Sequence, residues 1–198
     1  MKLFWFFILI AIILIAGCVE KEEVMPNLKG KKILMIIAPK NFRDEELLKP
    51  KEILEKAGAK VEIASKNVSV AKGMLGSTVN VDFDISEVDV KSYDAIIFVG
   101  GTGAEIYFED AQALRIAREA YEQGKVIGAI CIAPSILANS GILEGKRATA
   151  WPSEANNLEA KGAKYTGELV TKDGKIITAK GPEAAEQFGK TIVQTLFA

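Results

Sequence analysis

A chain of 198 residues with 49% hydrophobic residues is long enough for one α/β domain preceded by a short appendage. Its 25 basic and 26 acidic residues are nearly balanced and are spread along the chain, which excludes a surface that binds nucleic acid through its charge. A domain of about 170 residues buries enough surface to fold without disulfides or metal ions, and no metal or other cofactor is predicted.

The first 18 residues predict a segment that reaches the membrane. Lys2 precedes an apolar run from Leu3 to Ala16, which is typical of a secretory signal. The run ends in Ile15-Ala16-Gly17-Cys18, which resembles the lipobox of prokaryotic lipoproteins, where the cysteine is lipidated after cleavage. The alternative is an uncleaved anchor, although the run is shorter than the ~20 residues that span a bilayer. Under both interpretations the protein is tethered to the membrane, and the basic residue before the apolar run predicts that the domain lies outside the cytoplasm.

Residues 19–30 are charged and contain Pro26, which predicts a flexible spacer before a domain at residues 31–198. Cys18 belongs to the predicted anchor, and Cys131 is the only other cysteine. No intrachain disulfide is therefore possible after lipidation.

From Lys31 onward, short β-rich segments alternate with longer helical ones, which predicts a mostly parallel sheet with helices on both faces. The predicted strands carry apolar residues almost continuously, as doubly covered strands do: Ile33–Ala38, Val61–Ser65, Ala95–Val99 and Val126–Ile130. The helices predicted between them are Asp44–Ala57 and Asp110–Gln123. The remaining predicted elements are a polar hairpin, Glu168–Thr171 with Lys175–Thr178 around an Asp173-Gly174 turn, and a last helix, Pro182–Leu196.

In the first predicted helix, Glu46 lies on the wrong face for a charged residue. At about 100° per residue, it falls in the same sector as Leu47, Pro50 and Leu54, whereas Glu45 falls on the polar face. A buried carboxyl group is costly unless it is neutral or paired, so its pKa should rise and it could donate a proton in a hydrogen bond. The alternative is an edge position from which Glu46 reaches water.

The loop after Ala95–Val99 reads Gly100-Gly101-Thr102-Gly103-Ala104. It lacks the third glycine of a dinucleotide-binding loop and the Lys-Ser/Thr pair of a phosphate-binding loop, so it gives little support for cofactor binding. A backbone N–H at Gly100 or Gly101 could instead stabilise an oxyanion. A tight turn without chemistry explains the glycines equally well.

Cys131 stands where the apolar strand Val126–Ile130 ends and a helical segment begins. In a nucleophile elbow the residues two before and two after the nucleophile must be small, and here both are alanine, Ala129 and Ala133. A following helix would direct its N–H groups at the sulfur and favour the thiolate. The alternative is a buried cysteine that only packs in the core.

These features, in this order, resemble the DJ-1/PfpI superfamily from about Lys31 to the C-terminus. The matching stretches are Asn41–Pro50, Tyr93–Gly101, Gly128–Pro134 and Thr178–Pro182. The resemblance implies a flavodoxin-like α/β sandwich with a nucleophile elbow. It also implies that Cys131 is the nucleophile, that Glu46 is the acid beside it, and that Gly101 and Ile132 donate to an oxyanion.

One departure from that family concerns histidine. Family peptidases have a histidine directly after the elbow cysteine, where this sequence has Ile132, and the branch of DJ-1 itself often has one where Trp151 stands. The whole chain contains no histidine, so a Cys–His dyad is impossible even in a homo-oligomer. Cysteine peptidase activity is therefore disfavoured, and Trp151 cannot shuttle a proton.

Two functional hypotheses remain. In the first, the resemblance implies a glyoxalase- or deglycase-type enzyme, in which Cys131 adds to a small reactive carbonyl compound and Glu46 moves a proton. In the second, Cys131 is oxidised to a sulfinic acid that the site stabilises, and the protein is a redox sensor or protective module without enzymatic activity. Trp151 and Lys180 are candidates for the pocket wall, and the resemblance also implies a homo-oligomer.

Overall fold

The structure, a computed structural model, describes residues 26–198. The predicted anchor at residues 1–18, with Cys18, and most of the predicted spacer at residues 19–30 lie outside the described residues. Between residues 26 and 198, no helix has both the length and the hydrophobicity that crossing a bilayer requires.

The domain alternates strands and helices in the predicted way. The strands are β1 (Lys32–Ile36), β2 (Lys40–Phe42), β3 (Lys60–Ser65), β4 (Val70–Gly73), β5 (Thr78–Asn80), β6 (Phe83–Asp84), β7 (Ala95–Phe98), β8 (Val126–Ile130), β9 (Arg147–Ala148), β10 (Lys164–Tyr165), β11 (Val170–Asp173) and β12 (Ile176–Ala179). The helices are α1 (Asp44–Lys56), α2 (Ala111–Glu122), α3 (Pro134–Asn139), α4 (Ala155–Ala160) and α5 (Ala185–Phe197).

A seven-stranded sheet forms the centre, in the order β11-β12-β8-β7-β1-β3-β6. All neighbouring strands in it are parallel except β11, which pairs with β12 in antiparallel fashion at one edge. This is the flavodoxin-like sandwich that the sequence predicts. Since parallel strands end at the same edge, the loops after β7 and β8 are brought side by side.

Two hydrophobic cores explain why the strands are apolar at consecutive positions. In β1, Leu34 and Ile36 face one core, which contains the buried residues of α2, α3 and α4. Ile33 and Met35 face the other core, which contains the buried residues of α1 and α5. Each strand residue therefore packs against a helix on one face or the other, as in other parallel sheets with both faces covered.

The C-terminal hairpin differs from the prediction in register and in polarity. Asp173 pairs with Ile176, so the turn lies at Gly174-Lys175 rather than at Asp173-Gly174, and Gly174 has the left-handed φ of +59°. The Asp173 carboxylate accepts a hydrogen bond from the Arg147 backbone at 2.9 Å, which holds it at the end of the strand. β12 is wholly buried because it also pairs with β8, so the hairpin is not a polar one.

A small sheet in the order β2-β4-β5 was not predicted from the sequence. It joins the start of α1 to the main sheet's carboxyl edge. Asp44, the first residue of α1, accepts hydrogen bonds from the backbone N–H groups of Leu75 and Ser77 at 2.8 and 2.9 Å. Burial alone would raise the pKa of Asp44, but these hydrogen bonds lower it overall. The tip of this sheet, at Met74, is thereby fixed above the carboxyl edge.

Candidate active site

Cys131 occupies a strained turn between β8 and α3. Its φ of +64° lies in the left-handed region, which is unfavourable for any residue other than glycine. Two backbone hydrogen bonds impose this conformation: Cys131 donates to the Ala179 carbonyl at 2.9 Å, and its own carbonyl accepts from Trp151 at 2.8 Å. The chain therefore forms the predicted nucleophile elbow, with the side chain directed away from the sheet.

Glu46 is fully buried, in agreement with its place on the apolar face of α1. Burial raises the pKa of its carboxyl group to about 8, although the Cys131 thiol and the charge of Arg43 both favour the ionised form. Neither carboxyl oxygen has a described partner with regular hydrogen-bond geometry. The thiol and the Gly100 N–H are thus near enough to affect the pKa of Glu46, but they form no regular hydrogen bond with its carboxyl oxygens. A proton held here is available for transfer.

Gly100 brings the carboxyl group and the elbow together. A Cβ atom at Gly100 would lie 2.5 Å from the Oε2 atom of Glu46 and 2.6 Å from the Cβ atom of Cys131, so only glycine fits. Gly101, with φ of +92°, packs against the backbone of Asn41 and Arg43 in the same way. The Gly100 carbonyl also accepts a hydrogen bond from the Arg43 backbone at 3.0 Å. The glycines therefore serve close packing and are more than a turn.

The predicted oxyanion donors divide into two groups. The backbone N–H groups of Gly101 and Ile132 both favour a negative charge on the Cys131 sulfur. The N–H of Gly100 acts on the Glu46 carboxylate instead. Gly101 and Ile132 are consequently in place to stabilise a charge that develops next to the sulfur, as in an oxyanion hole.

The sulfur is more enclosed than the elbow pattern predicts. Burial, followed by the charge of ionised Glu46, raises the pKa of the Cys131 thiol to about 12, and the two backbone donors only partly offset this. The helix after the elbow, α3, has just six residues and begins at Pro134, so it contributes less to the thiolate than predicted. Because the Glu46 charge is one of the causes, the thiol ionises more easily while Glu46 remains protonated. The two groups titrate as a coupled pair.

A pocket of about 210 Å³ opens beside Cys131 and Glu46. Its wall comes from six parts of the chain, and the lining residues are Arg43, Glu46, Met74, Gly101, Thr102, Cys131, Ile132, Trp151 and Pro182. Trp151, one of the two candidates for the pocket wall, is 42% exposed and is among these lining residues.

Lys180 is not among the lining residues. Its backbone N–H bonds to the Leu169 carbonyl at 3.0 Å, and the chain turns directly afterwards, so that Pro182 reaches the pocket in its place. Sequence reasoning also missed Arg43, Met74 and Thr102. Arg43 stands three residues before Glu46, a spacing of about one helical turn that could have indicated it, whereas nothing in the sequence pointed to Met74.

The match of this chain to a known family covers the whole domain. The family model described as "DJ-1/PfpI family" matches residues 31–195. The chain belongs to the DJ-1/PfpI family. Among its DJ-1/PfpI relatives, an uncharacterized protein of Methanocaldococcus jannaschii is 40% identical over 194 residues, which is 96% of this chain and 95% of that protein. A protein of Pyrococcus abyssi named a deglycase is 32% identical over 149 residues, or 75% of this chain and 90% of its own.

A solved DJ-1/PfpI structure has the same fold. The ThiJ/PfpI domain protein from Brachyspira murdochii superposes with a TM-score of 0.83 at 33% identity, covering 85% of this chain and 97% of the other. The fold of this chain is thus that of a ThiJ/PfpI domain over almost the full length of that domain.

Within residues 26–198 no cluster of histidine, cysteine, aspartate and glutamate side chains has an arrangement suited to a metal ion. The chemical groups that the pocket offers are a thiol, a buried carboxyl group, two backbone N–H donors and the Arg43 guanidinium.

Proposed function

We propose that this protein is an enzyme of the glyoxalase or deglycase type, which acts on small reactive carbonyl compounds through Cys131 and Glu46. The observation that carries the proposal is the pairing of the elbow sulfur with a fully buried carboxyl group whose pKa is raised to about 8. The name deglycase of the Pyrococcus relative supports the same class of chemistry. With no histidine in the chain, Glu46 is the group next to the sulfur that can take up and return a proton near neutral pH.

The first step is addition of the thiol to an aldehyde. A bond forms between the Cys131 sulfur and the carbonyl carbon, the π electron pair moves to the oxygen, and the thiol proton passes to the Glu46 carboxylate. The N–H groups of Gly101 and Ile132 stabilise the oxyanion until Glu46 returns the proton to it, which restores the Glu46 carboxylate for the next step. The product is a hemithioacetal, and no bond other than the carbonyl π bond and the S–H bond is broken.

The second step follows for a 2-oxoaldehyde such as methylglyoxal. Glu46 removes the proton from the former aldehyde carbon, and a proton is returned to the neighbouring carbon through an enediol. The aldehyde carbon is thereby oxidised and the keto carbon reduced, so no external oxidant is needed. Water then cleaves the resulting thioester, releasing a 2-hydroxy acid and restoring the thiol.

The wall of the pocket suits such a substrate. Four apolar side chains, Met74, Ile132, Trp151 and Pro182, line it together with the polar groups at its base. A pocket of about 210 Å³ has room for a three-carbon dicarbonyl compound with an apolar end against this wall. The carbonyl end is then left to face Cys131 and Gly101.

Turnover of methylglyoxal by the full-length protein tests the proposal. We expect lactate to form at a rate that falls by at least about 100-fold in Cys131→Ser, since serine is a far weaker nucleophile without a strong base. Cys18→Ser is the matched control, because it removes the other cysteine of the chain and should leave the rate unchanged. A rate that survives in Cys131→Ser, or no lactate from the native protein, would contradict the proposal.

The redox-sensor hypothesis makes a different prediction. Oxidation by peroxide requires the thiolate, and the raised pKa of Cys131 disfavours it. A sensor should accumulate sulfinic acid at Cys131 after mild peroxide treatment, measured by mass spectrometry. An enzyme of the proposed type should keep its thiol under the same conditions.

We also propose that residues 1–18 anchor the domain to a membrane through lipidated Cys18, with the domain outside the cytoplasm. The support is the sequence Ile15-Ala16-Gly17-Cys18 at the end of an apolar run. Mass spectrometry of the protein from the membrane fraction should show a diacylglyceryl group on Cys18. An intact N-terminus in a soluble fraction would contradict the anchor.

A further inference from the structure

A second pocket lies at the opposite edge of the main sheet from Cys131. It has a volume of about 280 Å³, and three of its lining residues are lysines, Lys125, Lys146 and Lys175. One carboxylate, that of Asp173, lines it as well. The pocket therefore carries an excess of positive charge in a chain whose overall charge is only −1.

The three lysines come from equivalent points of three strands. Lys125 directly precedes β8, Lys146 precedes β9 and Lys175 precedes β12, so all three lie at the amino ends of strands. Because β8 and β12 are parallel and in register from Ile127 and Ile176, Lys125 and Lys175 are neighbours in space as well. The positive pocket is thus a product of the sheet topology.

The ammonium groups of these lysines have donors to spare. Lys125 donates to the Lys91 carbonyl at 3.3 Å, and Lys175 donates to the Gly124 carbonyl at 2.8 Å. Each ammonium group has three N–H bonds. None of the three lysines forms an ion pair with a carboxylate among residues 26–198. Asp173, the carboxylate of the pocket, is already engaged by the Arg147 backbone. An anion in the pocket could therefore accept ammonium N–H bonds that the described hydrogen bonds do not use.

The N-terminal segment enters the domain at the same edge. Leu28 is buried there and bonds to the Ala57 carbonyl, and Lys31 immediately precedes β1. Leu28 follows Cys18 by ten positions, and this stretch of chain spans at most about 35 Å when fully extended. A domain of this size is about 40 Å across. A membrane anchor at Cys18 would therefore keep the amino edge of the sheet nearer to the lipid than the carboxyl edge.

From these observations we infer that the pocket of Lys125, Lys146 and Lys175 binds the phosphate headgroups of anionic phospholipids. The inference depends on the proposed anchor but not on the proposed chemistry at Cys131. The occupant is a membrane because the tether and the pocket share one edge of the sheet, and because cations attract anionic lipid over short distances. The six residue steps along β8 from Lys125 to Cys131 then place Cys131 about 20 Å further from the bilayer than Lys125, facing the aqueous phase.

Lysine footprinting of the full-length chain in lipid nanodiscs tests the inference. The protein is inserted in discs of phosphatidylcholine alone or in an equal mixture of phosphatidylcholine and phosphatidylglycerol, and its amines are acetylated and quantified by mass spectrometry. In the mixed discs we expect acetylation of the three pocket lysines to slow by about fivefold, the effect of one favourable lysine–lipid contact. Exposed lysines elsewhere serve as internal controls and should not change: Lys40, Lys49 and Lys72.

A pair of variants sharpens the experiment. In Lys125→Gln/Lys146→Gln, the remaining Lys175 should lose its protection, whereas in Lys40→Gln/Lys72→Gln it should keep it. Equal protection of all lysines, or protection in phosphatidylcholine discs upon addition of free inorganic phosphate alone, would overturn the inference. A chain that associates with neither disc would overturn it too, since the pocket would have no membrane to face. None of these readouts uses Cys131, so the outcome is independent of methylglyoxal turnover.

Discussion

Replacement of Glu46 by glutamine is expected to stabilise the protein at alkaline pH. The unfolded chain loses the Glu46 proton near pH 4.5, whereas burial raises the pKa in the folded protein to about 8. Between these values the unfolded state binds fewer protons than the folded state, so the free energy of unfolding falls as the pH rises. At about 1.4 kcal/mol per pKa unit, the cost reaches about 5 kcal/mol at pH 8 and above. Glutamine has no such titration and avoids this cost.

Urea unfolding of native protein and Glu46→Gln, across a pH series from 4.5 to 8, measures the difference. The two proteins should differ least at the acidic end, because Glu46 is then protonated in the folded state and about half protonated in the unfolded chain, and should diverge steadily toward pH 8. The matched control is Glu45→Gln. Glu45 is only partly buried and pairs with Arg43 at 2.8 Å, so its loss should destabilise by at most about 1 kcal/mol. A difference between native protein and Glu46→Gln that stays constant over this range would refute the burial argument.

Three further predictions concern the same site. Gly100→Ala should lower the free energy of unfolding, and its folded fraction should lose at least about tenfold in turnover, because the methyl group would separate Glu46 from Cys131. Native stability together with normal kinetics would contradict this close packing. Alkylation of Cys131 by iodoacetamide, followed by mass spectrometry, should accelerate as the pH rises through about 8, where the coupled pair loses its first proton. In Glu46→Gln the rise in alkylation rate near pH 8 should vanish, and the Cys131 thiol should ionise in one step with a pKa below the native pKa of about 12. An unchanged pH profile of alkylation would exclude the coupling. Asp44→Asn should lower the free energy of unfolding by about 1–2 kcal/mol in urea titrations, because the carboxylate holds the tip of the small sheet at Met74 over the pocket. For the same reason it should raise KM more than it lowers kcat. An effect on kcat alone would argue against this role of Asp44.

Light scattering of the purified protein checks the predicted homo-oligomer. A mass above that of one chain, 21.4 kDa, is the expected result. A monomer at all concentrations would contradict it.

The main sheet was predictable because its strands and helices follow simple periods. β1, β7 and β8 are continuous apolar runs, and α1 and α2 repeat apolar residues every three to four positions. The small sheet was not predictable in this way. Its strands have three or four residues and are only partly buried, so neither alternation nor continuous hydrophobicity marks them.

The partners at the site were predictable for a different reason. Cys131 and Glu46 are each anomalous in their local pattern, one as a polar residue at the end of a buried strand and the other as a charge on an apolar helix face. Such anomalies are typical of functional positions. The enclosure of the sulfur was not foreseen, because burial depends on residues that the fold brings together from distant parts of the chain, as it brings Met74 and Trp151 to the same pocket. Sequence patterns indicate contacts between residues close in the sequence better than contacts between residues that only the fold brings together.

The left-handed turn at residue 131 has a practical consequence for experiments on this protein. Its geometry is imposed by main-chain bonds to Ala179 and from Trp151, neither of which involves the sulfur atom. A replacement that is small and unbranched at Cβ can inherit the same conformation, whereas valine or threonine would crowd it. Serine and alanine variants are accordingly expected to keep the native backbone conformation. They are therefore suitable inactive controls for ligand soaks and titrations.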